Sequence, residues 1–110
     1  FTTGLLNTND WKAKWIGLDK AVGKDAPTSK FSVMSARYIR KEPELKQEIK
    51  RATAFICGVG LYELYINGNK IGDAVLAPNL AEYKKRVYYN TYDVTGNLKK
   101  GKNAIGVILG

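Results

Sequence analysis

From Leu61 to Ile66 the chain alternates with a period of two. Tyr62, Leu64 and Ile66 point one way, and Leu61, Glu63 and Tyr65 the other. That periodicity marks a strand. Asn67-Gly68 follows at once and predicts a two-residue hairpin, because both residues accept the positive φ of a type I′ turn. A second apolar run, from Ile49 to Cys57, precedes the first and meets it at Gly58-Val59-Gly60. Two glycines there offer a bulge or a close backbone approach, so that one strand bends sharply into the next. The segment Ile49–Asp73 is therefore the ribbon around which the rest of the chain is arranged.

The same pattern places the remaining elements. Ala36 to Leu45 reads as a strand, with Tyr38 and Arg40 on one face and Arg37, Ile39 and Lys41 on the other. Pro43 cannot donate to a ladder and puts an edge or a strand end there. Tyr83 to Val94 reads as a long strand rich in Tyr and Val; Val87, Tyr89 and Thr91 share one face, and Arg86, Tyr88, Asn90 and Tyr92 the other. Thr95 can cap a single helical turn, Leu98 can tuck in, and Gly101 can end the turn with positive φ. Asn103 to Leu109 is a last strand, apolar on both faces: Ile105, Val107 and Leu109 on one, Ala104, Gly106 and Ile108 on the other. A strand of that kind expects cover on both sides. Residues 74–82, with Pro78, read as irregular. Phe1 to Leu18 is a lead-in with Trp11 and Trp15 four apart, suited to one helical turn or a bent extended run; Trp15-Ile16 can form a short strand. Residues 19–35, rich in Lys, Gly, Ala, Pro and Ser, read as a loop or linker.

Length and composition narrow the class. The chain has 110 residues, 45% hydrophobic and 25% charged, a single globular domain by the usual prior. No apolar run approaches the roughly 20 residues of a helical membrane span. The net charge of +8 comes from 18 basic and 10 acidic residues. Such an excess can signal a polyanionic partner. The basic residues are scattered, however, with clusters only at Lys84-Lys85-Arg86 and at Lys99-Lys100 with Lys102, where turns or strand ends are expected; a solvated surface is the preferred reading. A start without Met and an end inside an apolar run give the look of a piece excised from something longer.

Candidate chemistry is sparse. The chain has no histidine, which removes Ser-His-Asp and Cys-His catalysis and every His-containing metal site. Cys57 is the single cysteine; it reads as a small core residue on a strand rather than as a nucleophile or redox sensor. Glu42 and Glu44 lie two apart on one face of an extended segment. A glycosidase pair must instead face each other across a cleft, roughly 5–9.5 Å apart, so these read as solvated charge. Gly58-x-Gly60 lacks the third glycine and the helix that dinucleotide binding needs. No calcium loop is visible, and nothing calls for a cofactor or a metal. Trp11, Trp15, Tyr62, Tyr83 and Tyr88 are the candidate sugar-stacking residues; burial against the sandwich or a neighbouring domain is the preferred reading for the tryptophans.

Five stretches, NDWKAKWIG (Asn9–Gly17), ARYIRKE (Ala36–Glu42), RATAFICGVGLYELYINGNKIGD (Arg51–Asp73), YKKRVYYNTYDVT (Tyr83–Thr95) and LKKGKNAIGVILG (Leu98–Gly110), together resemble the N-terminal β-sandwich region of bacterial α-L-rhamnosidases. The shorter YINGNKIG pattern followed by YDVT is also similar to the sugar-binding jelly rolls of β-galactosidase and β-glucuronidase enzymes. The resemblance implies an all-β, galactose-binding-like jelly-roll sandwich over residues 36–110, continuing past Gly110. It implies a parent enzyme that is an inverting glycoside hydrolase whose carboxylate pair sits in a separate barrel, so no catalytic position falls in this chain. Pro43 stands where the family tends to have Phe, and Asn79-Leu80 where it tends to have Gly-Trp. The expected role is a non-catalytic accessory domain. It would brace the catalytic barrel and shape the rim of its pocket, with neighbouring domains of the same enzyme as partners and a rhamnose-containing glycan as a further candidate. An independent carbohydrate-binding module is the rival. A single-strand nucleic-acid binder, with aromatics on a strand face and flanking lysines, comes third; no nucleic-acid or membrane partner is expected.

Overall fold

A computed structural model describes residues 4–17 and 35–110. The chain divides into two compact units, Phe1–Ser35 and Ala36–Gly110. In the first, one 3-10 turn spans Thr8–Asp10. It is closed by the Asp10 amide donating to the Asn7 carbonyl at 3.0 Å and the Asn7 amide donating back to Asp10 Oδ2 at 3.0 Å. Trp11 is half-buried and Trp15 exposed, and residues 11–17 carry no regular element. The short strand expected at Trp15-Ile16 does not form. Apart from Ser35, the expected linker lies outside the described residues.

The second unit is an all-β sandwich of eight short strands: β1 (Arg37–Lys41), β2 (Glu44–Leu45), β3 (Thr53–Cys57), β4 (Tyr62–Ile66), β5 (Asn69–Ile71), β6 (Tyr89–Asp93), β7 (Gly101–Lys102) and β8 (Ile105–Leu109). One sheet has the order β1-β8-β4-β5, and β3 pairs with β6 and β2 with β7 as separate ribbons. Every pairing is antiparallel. Tyr62, Leu64 and Ile66 of β4 are buried, with Ile71, Ala77 and Val94. Ile105, Val107 and Leu109 of β8 pack on them from beside, and Ala54 and Ile56 of β3 with Tyr92 of β6 close the layer from above. The alternation read in β4, β6 and β8 thus becomes the inside and outside of a sandwich.

The turn between β4 and β5 has φ 49° at Asn67 and 84° at Gly68, as the Asn-Gly pair requires. Gly60 has φ 109°, and a Cβ there would lie 2.8 Å from the Gly110 carbonyl oxygen. The close approach expected at Gly58–Gly60 is thus the junction where the chain leaves the β3–β6 ribbon and enters the larger sheet.

Two strand expectations need correction. Ala36–Leu45 is not one strand: it stops at Lys41, and β2 begins only at Glu44. Pro43 sits in the gap, where its carbonyl accepts from the Asn103 amide at 2.9 Å. Tyr83–Val94 is strand only over Tyr89–Asp93. Its partner β3 runs out at Cys57, opposite Tyr89, so residues 83–88 have no ladder to join. Glu82–Arg86 instead forms a turn in which the Lys85 and Arg86 amides donate to the Glu82 carbonyl at 2.8 and 3.1 Å.

Candidate functional site

Within the second unit the predicted stacking residues Tyr62, Tyr83 and Tyr88 differ in exposure. Tyr62 faces the core at 4% exposure. Burial and the nearby Tyr92 hydroxyl push its phenol above the ordinary range. Asn90 Nδ2 donates to the Tyr62 hydroxyl at 3.0 Å and to that of Tyr92 at 3.2 Å. Tyr62 is therefore an interior residue: the period of two that makes β4 a strand also turns it inward. Tyr83 is 38% exposed and Tyr88 43%. Both belong to the segment before β6, and the Tyr83 hydroxyl accepts from the Gly60 amide at 3.1 Å. Trp15, 67% exposed, and the half-buried Trp11 belong to the other unit.

The carboxylates are engaged or solvated. Glu42 pairs with Arg40, and Glu44 is exposed. Glu63 accepts from the Tyr65 hydroxyl at 2.8 Å and from the Lys70 ammonium at 3.1 Å, which together hold its carboxyl below the ordinary value of 4.5. Burial pushes the Cys57 thiol up, away from the thiolate that nucleophilic chemistry needs. Lys85 of the basic cluster pairs with Glu82 at 2.9 Å on an exposed turn. Among the described residues no three Cys, Asp or Glu side chains gather as metal ligands, and no helix is long and apolar enough to cross a membrane.

Exposed apolar groups of the second unit stand in two places. At the Gly58–Gly60 junction Val59 is exposed, as are Val75, Leu76 and Leu80 in the long connection after β5. That connection is anchored by the Tyr62 amide donating to the Ala77 carbonyl at 2.7 Å. Sequence reading named Leu80 and the irregular segment but not this exposure, which depends on which side of the loop is pinned. The second surface is the outer face of the larger sheet. There the register sets Arg40, Gly106, Tyr65 and Lys70 in one row, and Tyr38, Ile108 and Glu63 in the next. A groove of about 270 Å³ opens between Tyr38, Arg40, Tyr65, Gly106 and Ile108.

Residues 47–110 match the family described as the α-L-rhamnosidase N-terminal domain. The chain belongs to that family. Strands β3–β8 lie inside the match, with β1 and β2 ahead of it. An α-L-rhamnosidase of Formosa agariphila is 37% identical over the whole of this chain, which covers 13% of the relative. The solved α-L-rhamnosidase of Dictyoglumus thermophilum superposes with a TM-score of 0.82 at 49% identity, over 98% of this chain and 13% of that one. The Aspergillus terreus enzyme does so with a TM-score of 0.70 at 42% identity, over 79% and 10%. This member of the α-L-rhamnosidase N-terminal domain family thus spans about an eighth of the length of such relatives.

Proposed function

We propose that this chain is a non-catalytic accessory domain of an α-L-rhamnosidase, acting by bracing the part of the enzyme that performs hydrolysis. The observation that carries this reading is a 37% identity running the full length of the chain against an α-L-rhamnosidase of which it covers only 13%. The carboxylates described above support it, since Glu42 and Glu63 are held by ion pairs on the surface and neither is poised as a general acid. The test is hydrolysis of an aryl rhamnoside by the purified 110-residue chain and by the longer polypeptide that carries it. Turnover belongs to the longer polypeptide alone on this reading. Turnover by the short chain that vanishes in Glu42→Gln or Glu63→Gln would overturn it.

A second reading, carbohydrate binding by the domain itself, is favoured by the exposure of Trp15, Tyr83 and Tyr88, since aromatic rings supply the apolar platforms on which sugars stack. Titration with rhamnose-containing oligosaccharides at low and moderate salt separates it from binding to phosphate. Sugar binding survives added salt, whereas a steep salt slope marks a nucleic acid.

A further inference from the structure

Gly106 is out of place for a strand interior. A glycine there weakens a strand unless the backbone needs a conformation or a close approach that other residues forbid. Gly106 is absent from the glycines of positive φ. A Cβ built on it would meet nothing nearer than the Ile39 carbonyl oxygen at 3.9 Å. Neither the backbone nor the packing of this domain demands it. What its missing side chain creates is the groove on the outer sheet face, walled by Tyr38 and Tyr65 and floored by the bare β8 backbone and Ile108. Tyr38 stands 80% exposed beside it.

The chemistry of the groove selects its occupant. The floor is apolar, and at its edge the Tyr65 hydroxyl, the Lys70 ammonium and Arg40 each already hold a carboxylate partner within the face. That partner is Glu63 for the first two and Glu42 for Arg40. A sugar's hydroxyls would find no side-chain partner on that floor, and hydroxyls buried without partners are costly. An apolar side chain would lose nothing and would cover the second face of β8, which is apolar on both sides. The relatives this chain matches carry most of their length outside the region it covers, so a neighbouring domain is at hand to supply such a side chain. We infer that the Tyr38–Gly106–Tyr65 groove is a docking seat for an apolar side chain from another domain of the same polypeptide. This rests on the accessory-domain reading and specifies which face does the bracing.

Hydroxyl-radical footprinting of the unaltered longer polypeptide, read by mass spectrometry at single tyrosines, tests the inference. Tyr38 is more exposed than Tyr88, 80% against 43%, so an open groove makes Tyr38 the faster to react. An occupied seat reverses that order, and Gly106→Trp, which fills the notch, restores the reactivity of Tyr38. The order in the unaltered protein decides the matter even if that variant fails to fold. Tyr38 outpacing Tyr88 in a polypeptide that hydrolyses rhamnosides overturns the docking seat and leaves the accessory role standing. A polypeptide that hydrolyses no rhamnoside overturns that role, while the tyrosine order still reports on the groove. Protection of Tyr38 already present in the 110-residue chain, or appearing only on addition of rhamnose, also overturns the inference, because the occupant is then the chain itself or a sugar.

Discussion

Asn67 and Asn103 show how much single side chains hold this fold together. Asn67 takes the positive φ of the hairpin. It also donates from Nδ2 to the Asn97 carbonyl at 2.8 Å and to Asn103 Oδ1 at 2.9 Å, and accepts from the Ala104 amide at 2.8 Å. Asn103, at 2% exposure, donates to the Lys99 and Gly101 carbonyls at 2.7 and 3.1 Å and accepts from the Lys99 amide at 2.9 Å. The two asparagines tie the β4–β5 hairpin to the loop that feeds β8. Asn103→Ala leaves several buried polar groups unpaired and should cost about 2 kcal/mol or more, read as a lowered denaturant midpoint. Gly68→Val is a purely conformational test, since a Cβ there meets no atom within 4 Å. It should cost about 1 kcal/mol or more through positive φ alone, and an unchanged midpoint would contradict the primed turn. Asp93 gives the pH dependence. Its carboxylate accepts from the Thr95 hydroxyl at 2.6 Å and the Thr95 amide at 3.0 Å, which holds its carboxyl below the ordinary value of 3.8. A depressed carboxyl contributes stability above its unfolded value and loses it as pH falls through the folded one. The acid limb of a stability profile should therefore be shallower in Asp93→Asn, at pH values below the ordinary range.

At the scale of elements, strand length is set by the partner more than by propensity. The segment YKKRVYY has the composition of a strand, yet only its last residue enters one, because β3 offers no ladder beyond Cys57. No local pattern reveals where a partner distant in sequence turns aside. The central hairpin, by contrast, was legible in full, since its alternation and its Asn-Gly turn are local. The two faces of β4 and β8 were legible as alternations, but not which of them turns inward. The groove was half-legible: Gly106 and Ile108 were visible as a second apolar face of the last strand. Tyr38 and Tyr65 join them only through the register of three strands distant in sequence. Thr95 was expected as a helix cap and instead accepts from the Ala52 amide at 3.0 Å, stapling β6 to the start of β3. On the outer side of that ribbon the Phe55 and Tyr89 rings meet at a tilt of 59°, with centroids 6.1 Å apart. A double-mutant cycle on Phe55→Ala and Tyr89→Ala should return a coupling of about 0.5–1.5 kcal/mol; additive effects would show that the rings do not stabilise each other.

For the whole molecule, the exposed apolar groups bear on its association state. Trp15, Tyr38, Val59, Val75, Leu76 and Leu80 all stand in solvent, and large uncovered apolar patches drive association. Light scattering of the 110-residue chain should rise with concentration, and the longer polypeptide should relieve it; a clean monomer at high concentration would contradict this. The central claim, that the sandwich braces a rhamnosidase and performs none of its chemistry, is tested most directly by heat inactivation of the longer polypeptide with residues 36–110 removed. The account predicts a shortened half-life of aryl-rhamnoside hydrolysis on heating, with the initial turnover before heating retained. An unchanged half-life, or turnover abolished before any heating, would contradict it.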